Sequence, residues 1–79
     1  MLALGDISAA RLLYERAAAL GSAKAATTVG KTYDPAFLAS IQVSGLAPKP
    51  AAAASWYRKG ADLGDAEAVD RLARLAKAQ

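Results

Sequence analysis

Apolar and polar positions alternate along most of the chain with a helical period. Ile7, Ala10, Leu13/Tyr14 and Ala17/Ala18 recur three and four residues apart, with Ser8, Arg11 and Glu15 toward the other side. That pattern predicts an amphipathic helix over about 7–19. Asp6, after Gly5, is expected as its N-cap. Arg11 and Glu15 read as an i,i+4 ion pair, which contributes about 0.5 kcal/mol at most. A second helix is expected over about 23–33, packing through Ala23, Ala26, Val29/Gly30 and Tyr33. Between the two, Leu20-Gly21-Ser22 marks a tight turn. Gly21 suits the left-handed position past a helix end, and Ser22 can cap the next helix. The two helices should therefore pack antiparallel, with Leu20 plugging the end of the pair.

Gly30 costs about 1 kcal/mol relative to Ala inside a helix, so a closely approaching neighbour is expected there. Thr27, Thr28 and Thr32 are weak helix formers, which makes this helix dependent on its neighbours. Asp34-Pro35 ends it, because the residue before proline is pushed out of the α region. Asp34 can also cap a new turn with Pro35 at its first position. Phe37, Leu38 and Ile41 then form an apolar face, predicting a short helix over about 35–40. That face is expected to plug the core, a binding loop being the alternative. Val43-Ser44-Gly45-Leu46 leads out.

Pro50 fits the first turn of a further helix over about 50–62, with Ala53, Trp56/Tyr57 and Gly60/Ala61 on its buried face. Leu63-Gly64-Asp65 then repeats the turn, with Asp65 as N-cap and Glu67 favourable at the positive helix end. The last helix is predicted over about 66–78. Its apolar positions are Ala68/Val69, Leu72/Ala73 and Leu75/Ala76, and Asp70 and Arg74 form an exposed pair.

Two of these stretches are copies of each other. Gly21 and Gly64 lie 43 positions apart, and over 10–26 against 53–69 seven of seventeen positions are identical at that offset. The alanine matches are cheap in so Ala-rich a chain; Tyr14/Tyr57 and Leu20-Gly21/Leu63-Gly64 carry the signal. A period of this size points to a repeat array. The pattern Trp56-Tyr57-x-Lys59-x-Ala61-x-x-Gly64-x-Ala66-x-Ala68 resembles the Sel-one-like repeat, a relative of the tetratricopeptide repeat. Ser22-Ala23-Lys24-Ala25, Val29-Gly30 and Tyr33 look like that family's second-helix pattern.

The resemblance implies an all-α fold of two stacked antiparallel helical hairpins, a tetratricopeptide-like α-solenoid, to which the residues themselves add a short extra helical turn near 35–41. It makes Tyr14, Ala18, Gly21, Ala23, Gly30, Tyr33, Trp56, Tyr57, Ala61, Gly64 and Ala66 packing or turn positions. Two departures stand out: Leu13 occupies the place of the family's Trp, and Asp34–Leu38 replaces the usual short glycine-rich link. The whole chain reads as one domain, with unit one over about 5–33, an insert over 34–46 and unit two over about 47–78. The apolar stub Met1–Leu4 reads as the end of an upstream helix or linker in a longer protein. It is too short for a signal h-region or a membrane span.

Composition narrows the chemistry. The chain has 79 residues, no His, no Cys and a net charge of +3. The commonest general base and the commonest metal ligand are therefore missing. The acidic residues lack calcium-loop spacing, no phosphate loop is present, and no serine has a recognisable base partner. No catalytic, metal or cofactor-binding residue is assigned, and the chain is read as non-enzymatic. The basic residues are dispersed, with Arg58-Lys59 the longest run, which argues against nucleic acid. No segment calls for membrane insertion.

The family resemblance implies a scaffolding module for a protein or peptide partner. On the expected concave face, Arg11, Glu15, Ser55, Arg58 and Asp62 are the candidate partner-binding residues. Trp56 would be a binding hot spot if its ring edge lay exposed beside Arg58. The alternative is a structural unit capping a longer array, with the charged end of the last helix (Asp70, Arg71, Arg74, Lys77) as its solvated face. Exposed repeat ends would allow a homodimer. The Ala-, Arg- and Gly-rich composition is compatible with a bacterial source; it says nothing of compartment.

Overall fold

The computed structural model describes residues 4–42 and 46–78. Their regular structure is entirely helical: α1 (Leu4–Ala19), α2 (Ala23–Lys31), α3 (Pro35–Ser40), α4 (Pro50–Asp62) and α5 (Ala66–Ala78). α2 is the central element, packed against both α1 and α4, and α4 packs in turn against α5.

The turns explain this order. Gly21 and Gly64 take φ of +102° and +107°, a conformation costly for any residue with a Cβ. Around the first, Gly21 N donates to Ala18 O at 2.9 Å and Ser22 N to Ala17 O at 3.0 Å. Around the second, Gly64 N donates to Ala61 O at 3.0 Å and Asp65 N to Gly60 O at 2.9 Å. Every atom of the first set maps onto the second at the 43-residue offset. This double bond satisfies carbonyls the helix end would otherwise leave free. The next residue then starts the following helix at once. Ser22 Oγ accepts from Ala25 N at 3.1 Å, and Asp65 Oδ1 from Glu67 N at 3.3 Å.

α3 starts as its sequence requires. Asp34 Oδ1 accepts from Ala36 N at 2.9 Å, and Pro35 stands in the first turn, where its missing N–H is not needed. Leu38 is buried, and Phe37 and Ile41 are half-buried. Lys49 N donates to Tyr33 O at 2.9 Å, fixing the start of α4 beside the end of α2. The core lies in two parts. One is Ala53, Tyr57, Ala68 and Leu75, with Tyr33, Ala61 and Leu72 against it. The other is Ala18, Ala25 and Ala26, with Ala17 and Trp56 against it.

Several expectations are corrected. α1 begins at Leu4, so Asp6 lies within its first turns and is not the residue before it. α2 stops at Lys31 with Thr32 as C-cap, leaving Tyr33 in the following turn. Leu20 is 90% exposed and plugs nothing. Leu13 (67% exposed) and Tyr14 (42% exposed) are not core: Leu13 lies on the side of α1 away from the buried Ile7 and Ala18, and Tyr14 only borders an apolar concavity between α1, α2 and α3. On α5, Val69 (57% exposed), Ala73 and Ala76 face outward while Ala68 and Leu75 are buried. Ala66 is exposed and serves the turn alone. The lead-out Val43-Ser44-Gly45 and the stub Met1-Leu2-Ala3 lie outside the described residues.

Candidate partner-binding site

The five candidate residues separate into three situations. Arg11 belongs to the fold. Its Nε donates to Thr32 Oγ1 at 2.8 Å and its Nη2 to Thr32 O at 2.9 Å. Its guanidinium lies over the Tyr33 ring, 4.0 Å from the centroid. It thereby takes up a carbonyl at the C-terminal end of α2, where a cation is favoured. The expected Arg11–Glu15 pair does not form, because the turn after α2 offers Arg11 an acceptor and an aromatic face together. Glu15 stays on α1 and lines a shallow depression with Ala9, Leu12, Leu13, Arg16 and Ala19. Ser55, Arg58 and Asp62 are all exposed on α4. Their spacing places them in one stripe, away from the buried Ala53, Tyr57 and Gly60. No α4 residue lines the depression that Glu15 shares.

Trp56 is half-buried against the Ala18, Ala25 and Ala26 cluster. The cation beside its ring is Lys59, 5.9 Å from the centroid. It anchors α4 and leaves only part of its ring to a partner.

Behind this surface lies a polar network that periodicity does not reveal. Tyr57 is fully buried, and its hydroxyl donates to Asp34 Oδ2 at 2.7 Å. Burial first, and this bond to a carboxylate second, push the Tyr57 hydroxyl well above the ordinary phenol range. Glu67 Oε2 receives Lys31 Nζ from α2 and Arg71 Nε from its own helix, both at 2.8 Å. These two bonds, Lys31's first, hold the Glu67 carboxyl down at about 2. The Phe37 ring sits between the same cations, 5.6 Å from Lys31 Nζ and 5.4 Å from Arg71 Cζ. The sequence held one clue: Asp34 four residues after Gly30 places a carboxylate just past the end of α2.

A second concavity is apolar. Ile7, Ala10, Tyr14, Thr28, Thr32, Phe37, Leu38 and Ile41 enclose about 140 Å³ between α1, α2 and α3. The hydroxyls of Thr28 and Thr32 are turned to the carbonyls of Lys24 and Val29. Among the described residues, no group of acidic side chains could hold a metal ion. No helix among them is long and apolar enough to cross a membrane.

Compared with family models, with curated proteins and with solved structures, the chain matches none. Its likeness to the Sel-one-like repeat therefore rests on the repeated residues themselves.

Proposed function

We propose that this chain is a non-enzymatic protein–protein interaction module, with two Sel-one-like units stacked in the tetratricopeptide manner. The observation that carries the reading is the pair of turns, whose four hydrogen bonds correspond atom for atom at an offset of 43. The packing order, α1 on α2, α2 on α4 and α4 on α5, is the order a stack of helix pairs would have. The partner surface in this reading is the α4 stripe of Ser55, Arg58 and Asp62, with mixed charge suited to a polar segment. Arg11 serves the fold instead. A photo-reactive residue at position 58 tests this in cells expressing the chain. A discrete crosslink to another protein, lost in Asp62→Arg and absent when the probe is at position 70, supports it. Equal capture from both positions, or none from position 58, overturns it.

A second reading, a structural unit closing a longer array, is favoured by α5. The α2 face that receives α4 presents Thr27 and Gly30, with Asp34 just beyond. The equivalents at the 43-residue offset are Asp70, Ala73 and Lys77. A Cβ at position 30 would lie 2.5 Å from the Tyr57 ring. A helix like α4 would therefore meet a steric block at Ala73 and a cation where its tyrosine needs an acceptor. This reading makes α5 an end face and leaves the α4 stripe without a partner, the result that the crosslink distinguishes.

A further inference from the structure

We propose that the outward face of α1 binds a second copy of itself, as an antiparallel helix pair about a two-fold axis. Ala9, Leu12, Leu13, Arg16 and Ala19 fall within an arc of about 120° on α1. All five are exposed, Leu12 at 65%, and Leu20 continues the stripe. α2 packs on the other side of the helix, where Ile7 and Ala18 are buried. α1 is thus apolar on two faces, and the described fold uses one. A contiguous exposed apolar face of this kind marks an interaction surface.

The charges on the stripe select the occupant. It holds one cation, Arg16, with one anion, Glu15, at its border. Neither forms an ion pair among the described residues. An axis crossing α1 between residues 15 and 16 brings each Arg16 level with the other copy's Glu15. The face then complements itself, and the contact is closed and isologous. Head-to-tail growth is the other way a second copy could cover α1, with its α5 in the place of α2. Ala73 and Lys77 stand against it, an argument that rests on the repeat reading above. One helix pair is a small interface, so the dimer forms and dissociates with concentration. It would present two α4 stripes together, raising avidity for a repetitive partner.

The test is the solution mass of the full chain by light scattering across a dilution series, with circular dichroism on every variant. The wild type should pass from dimer to monomer on dilution. Leu13→Glu should be monomeric throughout with unchanged helicity, since that side chain is solvent-facing. Glu15→Arg and Arg16→Glu should each weaken the dimer by roughly tenfold or more. Mixed in equal amounts, the two variants should recover a heterodimer close to wild-type strength, because the mixture restores both Arg–Glu pairs. Val69→Glu, on α5, should leave dissociation unchanged. A wild type monomeric at the highest soluble concentration overturns the proposal. So does a dimer that survives Leu13→Glu, a charge-swapped pair that fails to recover, an open-ended rise in mass, or dispersal by Val69→Glu. None of these outcomes bears on the crosslink from position 58, so the two ideas fail separately.

Discussion

The ring of Tyr57 occupies the space that a side chain at Gly30 would need. A Cβ built on Gly30 would come within 2.5 Å of Tyr57 Cδ1 and Cε1. Both residues are buried, and the ring is held from the far side by its bond to Asp34. Gly30→Ala therefore sets two effects against each other. Helix propensity favours Ala by about 1 kcal/mol. Overpacking a fixed ring costs about 1–3 kcal/mol. The expected result is a net loss of roughly 1 kcal/mol, or ~4–8 °C in Tm for a domain of this size. Thermal unfolding followed by circular dichroism checks it. An unchanged or raised Tm would mean that α2 and α4 can part without cost.

Tyr57→Phe isolates the hydroxyl. It leaves the ring in place and removes the donor to Asp34 Oδ2, in a carboxylate only 5% exposed. Hydrogen bonds to charged groups contribute about 1.5–3 kcal/mol, and a loss in that range is expected in urea unfolding. The raised pKa adds a pH signature. The folded chain holds the Tyr57 proton more tightly than the unfolded chain, so this stability is fully present below pH 10.0 and declines as pH rises above it. The wild type should lose stability above that pH more steeply than Tyr57→Phe. Equal slopes for the two proteins would dismiss the buried bond as a source of stability.

The elements with local signals were legible in the sequence. α3 follows from Asp34-Pro35, α4 from Pro50, and both turns from a glycine followed by a capping residue. The close approach at Gly30 was legible too, since an unfavourable residue inside a helix needs a tertiary reason. Periodicity failed where it could not count neighbours. Leu13, Tyr14, Val69 and Ala73 have the same spacing as buried positions, yet all four are exposed. Arg11 was misjudged for a related reason. Its local partner Glu15 was visible one turn away, while Thr32 and Tyr33 come from the turn after α2. Of the candidate site, only the α4 stripe could be read directly, because one helix carries all of it.

Glu67 predicts an acid-sensitive joint between α2 and α5. Its pKa is lowered from 4.5 to about 2 by Lys31 and Arg71. A depressed carboxylate contributes stability that is present above its unfolded pKa and lost as pH falls through its folded value. The window is therefore from pH 4.5 down to about 2. Glu67→Gln should be less stable than wild type at neutral pH, and the difference should shrink across that window. The carboxylate is partly exposed, so solvent screening keeps the effect modest and salt should reduce it further. Melting curves at stepped pH, with and without added salt, read this directly. A constant difference at every pH would show that the ion pairs contribute nothing to the joint.

Gly21 and Gly64 separate backbone strain from packing. A Cβ at either position would have no atom within 4 Å, so nothing there opposes a side chain by collision. Only φ, at +102° and +107°, does so. Gly21→Ala and Gly64→Ala should each lose about 1–2 kcal/mol, the cost of left-handed backbone for an L residue. D-alanine at the same positions, in a chemically synthesised chain, reverses the argument. Its preferred φ is positive and its methyl is free of contacts, so it should match glycine or exceed it by about 0.4–1 kcal/mol through reduced freedom of the unfolded chain. The two turns have the same hydrogen bonds and nearly the same φ, so their substitutions should cost the same within error. Loss of stability with both L- and D-alanine at one turn would mean that its surroundings, and not its dihedral angle, require the glycine there.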